Sequence, residues 1–244
     1  MTLLFKKVST NKNDKKDFLR KILFSGIVLI FLCPFCFGQN FEKIEMSMED
    51  KLDSEFYASN ISDSLFNKIK GKSYKDNCAV PLSELRYVHV LHWNFAGRES
   101  EGELICSKKI AEKLVFIFRG LYKARYQIEK IRLVDEYGAD DELSMRDNNS
   151  SCFNFRFISH TNKVSMHGAG LAVDINPLYN PYIKKVGGKD IIEPLTGAFY
   201  VDRTQKFPHK IDHDDLCYKL FISQGFEWGG DWTGVKDYQH FEFN

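Results

Sequence analysis

The chain has 244 residues, of which 43% are hydrophobic and 27% are charged, so it can bury a sizeable core in one domain. Its formal net charge is +1, but the first 38 residues hold seven Lys or Arg and two Asp or Glu. The rest of the chain therefore carries about −4, counting histidine as neutral. This balance excludes the basic surface by which proteins bind nucleic acid.

The N-terminal segment has the layout of a secretory signal peptide. Basic residues at positions 15–21 precede an apolar run over residues 22–37, and small and polar residues follow. We predict a signal peptide over residues 1–38, a mature chain that begins near Gln39, and export to the periplasm or cell envelope. The alternative is an uncleaved membrane anchor, since the run is about as long as the shortest spanning helices. After cleavage no stable membrane partner is expected.

Four cysteines remain after this segment, namely Cys78, Cys106, Cys152 and Cys217. An even number of cysteines in an exported protein predicts one or two disulfides, with the pairing left open.

Residues 39–84 are polar, with apolar residues at loosely helical spacing, and predict a helical extension that packs on the core. Leu85 to Trp93 is rich in β-branched and aromatic residues and predicts a strand. His89 and His92 lie three positions apart in it and would point to opposite faces, which makes them poor joint metal ligands.

The middle of the chain alternates helix, strand and loop patterns. Residues 107–126 predict an amphipathic helix with Ser107 as its N-cap, and residues 128–134 predict the strand that follows. Residues 135–149 have the composition of a loop, and such a long polar loop in a small domain is more often functional than idle. Residues 152–158 predict another strand.

The last third of the chain contains three predicted segments. Residues 176–190 predict an irregular stretch, which continues over the surface to about Lys210. Residues 212–224 predict a short helix that Gly225 ends. A terminal strand over residues 238–243 would place His240 and Glu242 on one face, and Gln239 and Phe241 on the other.

Two short segments carry the residue types of a metal site. Residues 165–174, Ser-Met-His-Gly-Ala-Gly-Leu-Ala-Val-Asp, put His167 and Asp174 seven positions apart with mostly small residues between them. Residues 237–243, Asp-Tyr-Gln-His-Phe-Glu-Phe, place His240 three positions after a carboxylate. A catalytic zinc uses three protein ligands and leaves a fourth position for water. We therefore predict that His167, Asp174 and His240 bind one zinc ion.

The neighbouring residues predict how such a site would hydrolyse an amide. Asp237 is the candidate general base that takes a proton from water and passes it to the leaving amine. Arg156, or with less support Arg146, would neutralise the charge that develops on the carbonyl oxygen. Further candidates for contacts with the ligand histidines or the substrate are Ser165, Asp231, Trp228 and Glu242.

Two motifs, Ser165-x-His167-x-x-Gly170-x-Ala172-x-Asp174 and Asp237-x-x-His240, occur together in this chain. As a pair they resemble the M15 metallopeptidases, a family of zinc D-alanyl-D-alanine carboxypeptidases and related peptidoglycan endopeptidases. The likeness extends over most of residues 85–244 and includes Trp228-Gly-Gly-Asp-Trp232.

The resemblance implies a zinc peptidase domain over residues 85–244 that acts on peptidoglycan stem peptides. The family's zinc ligands fall on His167, Asp174 and His240, and its general base falls on Asp237, where much of the family has Glu. The implied fold is α+β, of the D,D-carboxypeptidase/hedgehog-like type, with a small antiparallel sheet that has zinc on one face and helices on the other.

Three functional hypotheses follow. The first is an exported D-alanyl-D-alanine carboxypeptidase. The second keeps the chemistry but makes the enzyme a peptidoglycan endopeptidase or a D,D-dipeptidase. The third is a zinc-stabilised binding module without catalytic activity, which the change from Glu to Asp at position 237 would permit.

Overall fold

The computed structural model describes residues 49–158 and 162–244. The predicted signal segment at residues 1–38, and residues 39–48 of the predicted extension, lie outside the described residues. Within the described ranges, no helix is long and apolar enough to cross a membrane.

The described chain combines helices with small antiparallel sheets, in keeping with the predicted α+β class. The helices are α1 (49–55), α2 (Asp63–Ile69), α3 (Ala111–Lys123), α4 (Asp141–Arg146) and α5 (Leu216–Ser223). Short 3-10 helices occupy Leu82–Glu84, Val134–Tyr137, Leu195–Tyr200 and Gly229–Asp231. The strands are β1 (Tyr57–Asn60), β2 (Leu85–Trp93), β3 (Glu99–Ser107), β4 (Lys130–Ile131), β5 (Asn149–Ser150), β6 (Ala172–Asp174), β7 (Tyr182–Val186), β8 (Lys189–Glu193), β9 (Glu227–Trp228), β10 (Val235–Asp237) and β11 (His240–Glu242).

The first sheet is the base on which the longest helix packs. Its strands run antiparallel in the order β1-β2-β3, so the predicted strand at β2 is confirmed. Helix α3 turns one apolar face to the core, because its apolar residues recur every three or four positions. The buried residues of this face are Ala111, Leu114, Ile117, Phe118 and Leu121. Burying each large side chain contributes roughly 1.5–3 kcal/mol to folding.

The start of α3 differs from the sequence-based expectation. Ser107 is the last residue of β3, where it pairs with Leu85, so the strand continues through the predicted N-cap. The helix begins four residues later, with Ile110 at the N-cap position and no side-chain cap.

The second sheet, in the order β6-β11-β9, joins two distant parts of the chain. Phe241 of β11 is fully buried and stacks on Phe221 of α5 at a ring separation of 4.2 Å. His240 and Glu242 point to the other face and contact each other, as the strand periodicity predicts. The sheet therefore has a helix on one face and the two polar side chains on the other.

The third sheet, in the order β10-β7-β8, corrects the prediction of an irregular segment at residues 176–190. Gly187 and Gly188 have φ of +58° and +79° and form the two-residue turn of the β7–β8 hairpin. Strand β10 pairs with β7 so that Asp237 lies opposite Tyr182. The hairpin thus determines where Asp237 lies.

Two more predicted elements are wrong in detail. Only β4 of the predicted strand at residues 128–134 is regular, and it pairs in parallel with β5. The predicted loop at residues 135–149 contains a 3-10 helix and α4, whose N-cap Asp140 accepts a hydrogen bond from Leu143 N at 3.0 Å.

Residues 152–158 do not form the predicted strand. Their backbone N–H groups donate to three different segments: Phe153 to Ile105 O, Asn154 to His167 O and Phe155 to Ser73 O. Because no single neighbouring strand accepts these bonds, no regular ladder forms. The segment is nevertheless firmly held, and it passes beside the turn that contains His167.

The cysteines do not confirm the predicted disulfides, since all four thiols are free. Cys106, Cys152 and Cys217 are buried in the main core cluster, and Cys78 packs at a second cluster. Burial raises the pKa of the Cys106, Cys152 and Cys217 thiols, which therefore behave as small apolar side chains.

A buried amide fixes the connection that leads from β6 into the hairpin. Asn180 is 0% exposed and uses both donors and its acceptor oxygen. Its Nδ2 donates to Asn176 O and His209 O, at 3.1 and 3.0 Å. Its Oδ1 accepts from Arg203 Nη2 and Ile211 N, at 3.0 and 2.8 Å. One side chain therefore ties the long segment before α5 to the start of β7.

We predict that Asn180→Ala lowers the free energy of unfolding by about 3 kcal/mol, because it leaves several buried groups without partners at about 1–3 kcal/mol each. Urea denaturation measures the change. The exposed Asn60→Ala is the control and should stay within about 0.5 kcal/mol of the parent protein. Equal stability of the two variants would contradict the prediction.

Candidate metal centre

A tight turn at residues 165–170 positions His167. Ser165 Oγ accepts a hydrogen bond from Gly168 N at 2.9 Å and closes the turn. A Cβ at Gly168 would lie 2.6 Å from Arg156 O, so only glycine fits there without movement of the backbone. Gly170 has φ of +68°, which also favours glycine. The small residues of the motif are therefore needed for close backbone packing.

A hydrogen bond at Nδ1 sets the tautomer of His167. Nδ1 donates to Cys152 O at 2.7 Å, because a carbonyl oxygen can only accept. The Nε2 lone pair is then available to a metal, and ligand histidines usually donate their second N–H in this way.

Strand pairing brings the other two candidate ligands together. His240 on β11 lies opposite Asp174 on β6, and paired residues of antiparallel strands point to the same face. His240 Nδ1 lies 3.0 Å from Asp174 Oδ1. The turn that holds His167 precedes β6, so the third side chain reaches the same point.

The three side chains converge with spacings that suit one metal ion. His167 Nε2 lies 3.1 Å from His240 Nδ1 and 3.2 Å from Asp174 Oδ2. Ligands of a tetrahedral zinc bound at about 2.0–2.2 Å are roughly 3.3 Å apart, and two imidazoles with one carboxylate are a common zinc donor set. All three residues are at most 8% exposed. The residues present therefore fit a zinc ion.

The charges around these residues also favour a cation. Burial opposes ionisation of Asp174, but the adjacent histidines hold its pKa well below the usual range. Burial likewise opposes protonation of His240, yet its hydrogen bonds with Asp174 and Glu242 raise its pKa to about 10. Buried carboxylates thus stabilise positive charge at the position that a metal would take.

Glu242 contacts His240, one of the three candidate ligands. Its Oε2 lies 3.2 Å from His240 Nε2, and this hydrogen bond lowers the pKa of Glu242. A carboxylate on Nε2 orients the ring and leaves Nδ1 to face Asp174 and His167.

Asp237 lies beside the three candidate ligands, at the end of β10. Its Oδ2 is 4.0 Å from His240 Nδ1, and its side chain is 14% exposed. Burial raises the pKa of Asp237 to about 7. A Cβ at Gly229 would lie 2.6 Å from Asp237 O, so the first glycine of the Trp-Gly-Gly-Asp-Trp motif allows this segment to pack against Asp237.

These residues line a cleft of about 290 Å³. Arg156 and Ser165 of the predicted site also line it. Arg156 Nε lies 3.2 Å from Asp141 Oδ2, while its Nη1 is buried and has no acceptor among the described residues. An unpaired guanidinium donor beside the ligand cluster is available to a carbonyl or carboxylate of a bound molecule.

Three predicted residues lie elsewhere, and the predictions for them are corrected. Arg146 is exposed at the end of α4 and does not line the cleft. Asp231 accepts a hydrogen bond from His213 Nε2 at 2.7 Å, not from a ligand histidine. Trp228 is buried in the core, and its indole N–H donates to Tyr238 O at 3.0 Å. The helical and strand positions of these residues direct them away from the ligands.

Sequence reasoning missed several cleft residues. Trp232 lies with its ring centre 5.2 Å from that of His240, and the second Trp of the Trp-Gly-Gly-Asp-Trp motif was the available signal. Gln239 precedes β11 and lines the cleft, although strand alternation placed it on the opposite face. Tyr182 and Glu193 reach the cleft through the β7–β8 hairpin, whose Gly-Gly turn was the missed signal.

We predict that the protein binds one equivalent of zinc and that His167→Ala or His240→Ala reduces binding to well below one, because each removes a ligand atom from the cluster. Metal analysis after gel filtration measures the content. His213→Ala is the matched control, since His213 is exposed and bonds to Asp231, and it should retain the metal. Loss of metal in the control but not in the ligand variants would contradict the assignment.

We also predict that zinc stabilises the folded chain. At a free zinc concentration 100 times the Kd, the free energy of unfolding should rise by about 2.7 kcal/mol over that of chelator-treated protein. Thermal denaturation with and without zinc measures the gain, and His167→Ala should show little of it. A gain of equal size in that variant would mean that zinc stabilises the fold from another position.

A family comparison agrees with this geometry. Residues 159–243 match the family model Peptidase_M15_4, described as D-alanyl-D-alanine carboxypeptidase. No curated protein and no solved structure gave a significant match. The matched range includes His167, Asp174 and His240, and it confirms the resemblance that the two motifs indicated. Residues 159–243 of this chain are therefore similar to the M15 peptidases, as the two motifs indicated.

Proposed function

We propose that this protein is an exported zinc metallopeptidase that hydrolyses an amide bond in peptidoglycan stem peptides, most simply as a D-alanyl-D-alanine carboxypeptidase. The observation that carries the proposal is the convergence of His167, Asp174 and His240, with Asp237 beside them in one cleft. The family match supports a hydrolytic enzyme of this kind. We further propose the D,D-carboxypeptidase/hedgehog-like fold for the domain.

His167, Asp174 and His240 would hold the zinc ion. A zinc ion held by these residues would supply Lewis-acid polarisation of the substrate carbonyl and would lower the pKa of water towards about 7. Glu242 keeps the His240 ring oriented, because its Oε2 accepts a hydrogen bond from His240 Nε2 at 3.2 Å.

Asp237 has the position and environment of a general base. Its carboxylate Oδ2 takes a proton from the attacking water and later gives it to the nitrogen of the leaving amine. Burial raises the pKa of Asp237 to about 7, and a group of that pKa can accept and release a proton near neutral pH. Asp reaches less far than Glu, but the close packing of Gly229 behind Asp237 keeps its backbone near the ligands.

Arg156 would bind the oxygen on which negative charge develops. Its Nη1 has no acceptor among the described residues, so a substrate oxygen can take this place without breaking an existing bond. The ion pair of Nε with Asp141 holds the guanidinium at the cleft wall.

One observation favours the second hypothesis, an endopeptidase. Among the described residues that line the cleft, Arg156 is the single Arg or Lys, whereas Asp141 and Glu193 are acidic. If Arg156 binds the scissile carbonyl, no second fixed cation is left for the terminal carboxylate of a carboxypeptidase substrate. An internal amide bond does not need that second cation.

We propose export because the first 38 residues have the layout of a signal peptide. The alternative is that this segment is retained as a membrane anchor. Stem peptides of the cell wall lie outside the cytoplasmic membrane, so an exported enzyme would meet them.

The third hypothesis, a non-catalytic zinc-stabilised module, would keep the fold and the metal without turnover.

We predict that Asp237→Asn lowers kcat by about 10²- to 10⁴-fold without loss of zinc, because it removes the proton acceptor and keeps the shape of the side chain. Turnover of wall peptides and metal content are measured on the same preparation. Asp190→Asn, on the exposed hairpin where Asp190 pairs with Lys185, is the control and should keep full activity. Unchanged turnover in Asp237→Asn would remove Asp237 from the mechanism.

The bond that is cleaved follows from the products. A carboxypeptidase releases free D-alanine from a stem pentapeptide, whereas an endopeptidase shortens stems or opens crosslinks in digested wall. Mass spectrometry separates these products, and we expect His167→Ala to form none of them. A zinc-loaded wild-type protein that leaves every wall peptide intact would support the binding module instead.

A further inference from the structure

Gln239 is a buried polar residue in the cleft for which the proposed mechanism has no use. It is 2% exposed and lies between Asp237 and His240 in the chain. Its backbone oxygen accepts a hydrogen bond from Ile175 N at 3.0 Å, so its main chain is held by the residue that follows β6. Its side chain lines the cleft together with the metal-ligand candidates.

The side-chain oxygen of Gln239 lacks a donor. Oε1 is withdrawn from solvent, and no N–H or O–H of the described residues reaches it. The side-chain amide of Gln239 lies near the Asp237 carboxylate and lowers the pKa of that group. A carboxylate attracts the N–H₂ group and repels the carbonyl oxygen, which is consistent with Oε1 as the unpaired atom.

An unpaired buried acceptor destabilises a folded protein, so such atoms are uncommon. The terminal torsion of glutamine is broad, so the side-chain amide can rotate at little cost when a molecule binds in the cleft. A site whose buried polar atoms find partners only in the correct ligand rejects analogues that lack the partner group.

The cleft also contains an unpaired donor, Nη1 of Arg156. One free acceptor and one free donor are the complement of a peptide amide, which offers an N–H and a C=O. Gln239 lies two positions after Asp237, the residue proposed to protonate the leaving nitrogen, and its side-chain amide lies near that carboxylate. The free acceptor therefore belongs to a side chain on the part of the cleft where the nitrogen of the amide would lie.

We propose that Gln239 is a substrate-recognition residue whose Oε1 accepts a hydrogen bond from the N–H of the amide bond that is cleaved. This inference rests on the proposed peptidase function. It assigns the substrate class as secondary amides, because an ester or an N-substituted amide has no hydrogen to donate.

The test uses Gln239→Met, which keeps the length of the side chain and removes the acceptor. The zinc-loaded enzyme is given a stem peptide and its ester analogue, in which oxygen replaces the scissile N–H. We expect kcat/KM for the amide to fall about tenfold or more and kcat/KM for the ester to change less than about threefold. The amide-to-ester ratio then falls about tenfold. Comparison of ratios cancels the higher intrinsic reactivity of the ester.

A stability measurement separates recognition from a structural role. Because Gln239→Met removes an unpaired acceptor from a buried position, the thermal midpoint should stay the same or rise, with zinc content unchanged. Gln224→Met, at the end of α5 and outside the cleft, is the control and should leave the amide-to-ester ratio unchanged. A lower midpoint in Gln239→Met together with an unchanged amide-to-ester ratio would mean that Gln239 has a structural role, and would overturn the proposal.

The kinetic outcomes also distinguish the role of Gln239 from the peptidase function itself. If the wild-type enzyme cleaves the amide and Gln239→Met leaves the ratio unchanged, this inference is wrong and the peptidase function stands. If the wild-type enzyme cleaves neither the peptide nor its ester, the proposed function fails and the role of Gln239 fails with it.

Discussion

The pairing of β6 with β11 is the constraint on which the candidate site depends. It places His240 opposite Asp174, although 66 positions separate them in the chain. Residues opposite each other on neighbouring antiparallel strands point to the same face, and their Cβ atoms lie within about 5.5 Å of each other. A slip of one residue would turn His240 into the core and Phe241 out of it. The stacking of Phe241 on α5 therefore stabilises the register that the metal ligands need.

Close backbone packing supplies the rest of the geometry. Gly168 allows the turn of His167 to lie against the backbone of Arg156, and Gly229 allows a second segment to lie against Asp237. In each case a Cβ would come within 2.6 Å of a backbone oxygen. Glycine is required at these two positions because it has no side chain and lets the backbones pack closely. The polar groups of the site are therefore attached to backbone that has little freedom to move.

The site combines buried charge with unpaired polar atoms, which is unfavourable in the absence of a ligand. Asp174 and Asp237 are both largely withdrawn from water, and a cation between them, or a proton on Asp237, would reduce their mutual repulsion. Oδ1 of Asp237, Oε1 of Gln239 and Nη1 of Arg156 are buried without partners among the described residues. Proteins keep such groups mainly where function uses them, and here all three line one cleft.

The sequence by itself determined those elements and motifs that neighbouring residues define. The 3.6-residue period of α3, the β-branched run of β2 and the spacing of the two metal motifs need no information from elsewhere in the chain. Tertiary structure alone decided which polar residues meet. Residues 152–158 bond to three separate segments, Asp231 pairs with His213, and Gln239 reaches the cleft from the bend before β11. These contacts depend on how distant segments pack in three dimensions, and local periodicity contains no record of that packing.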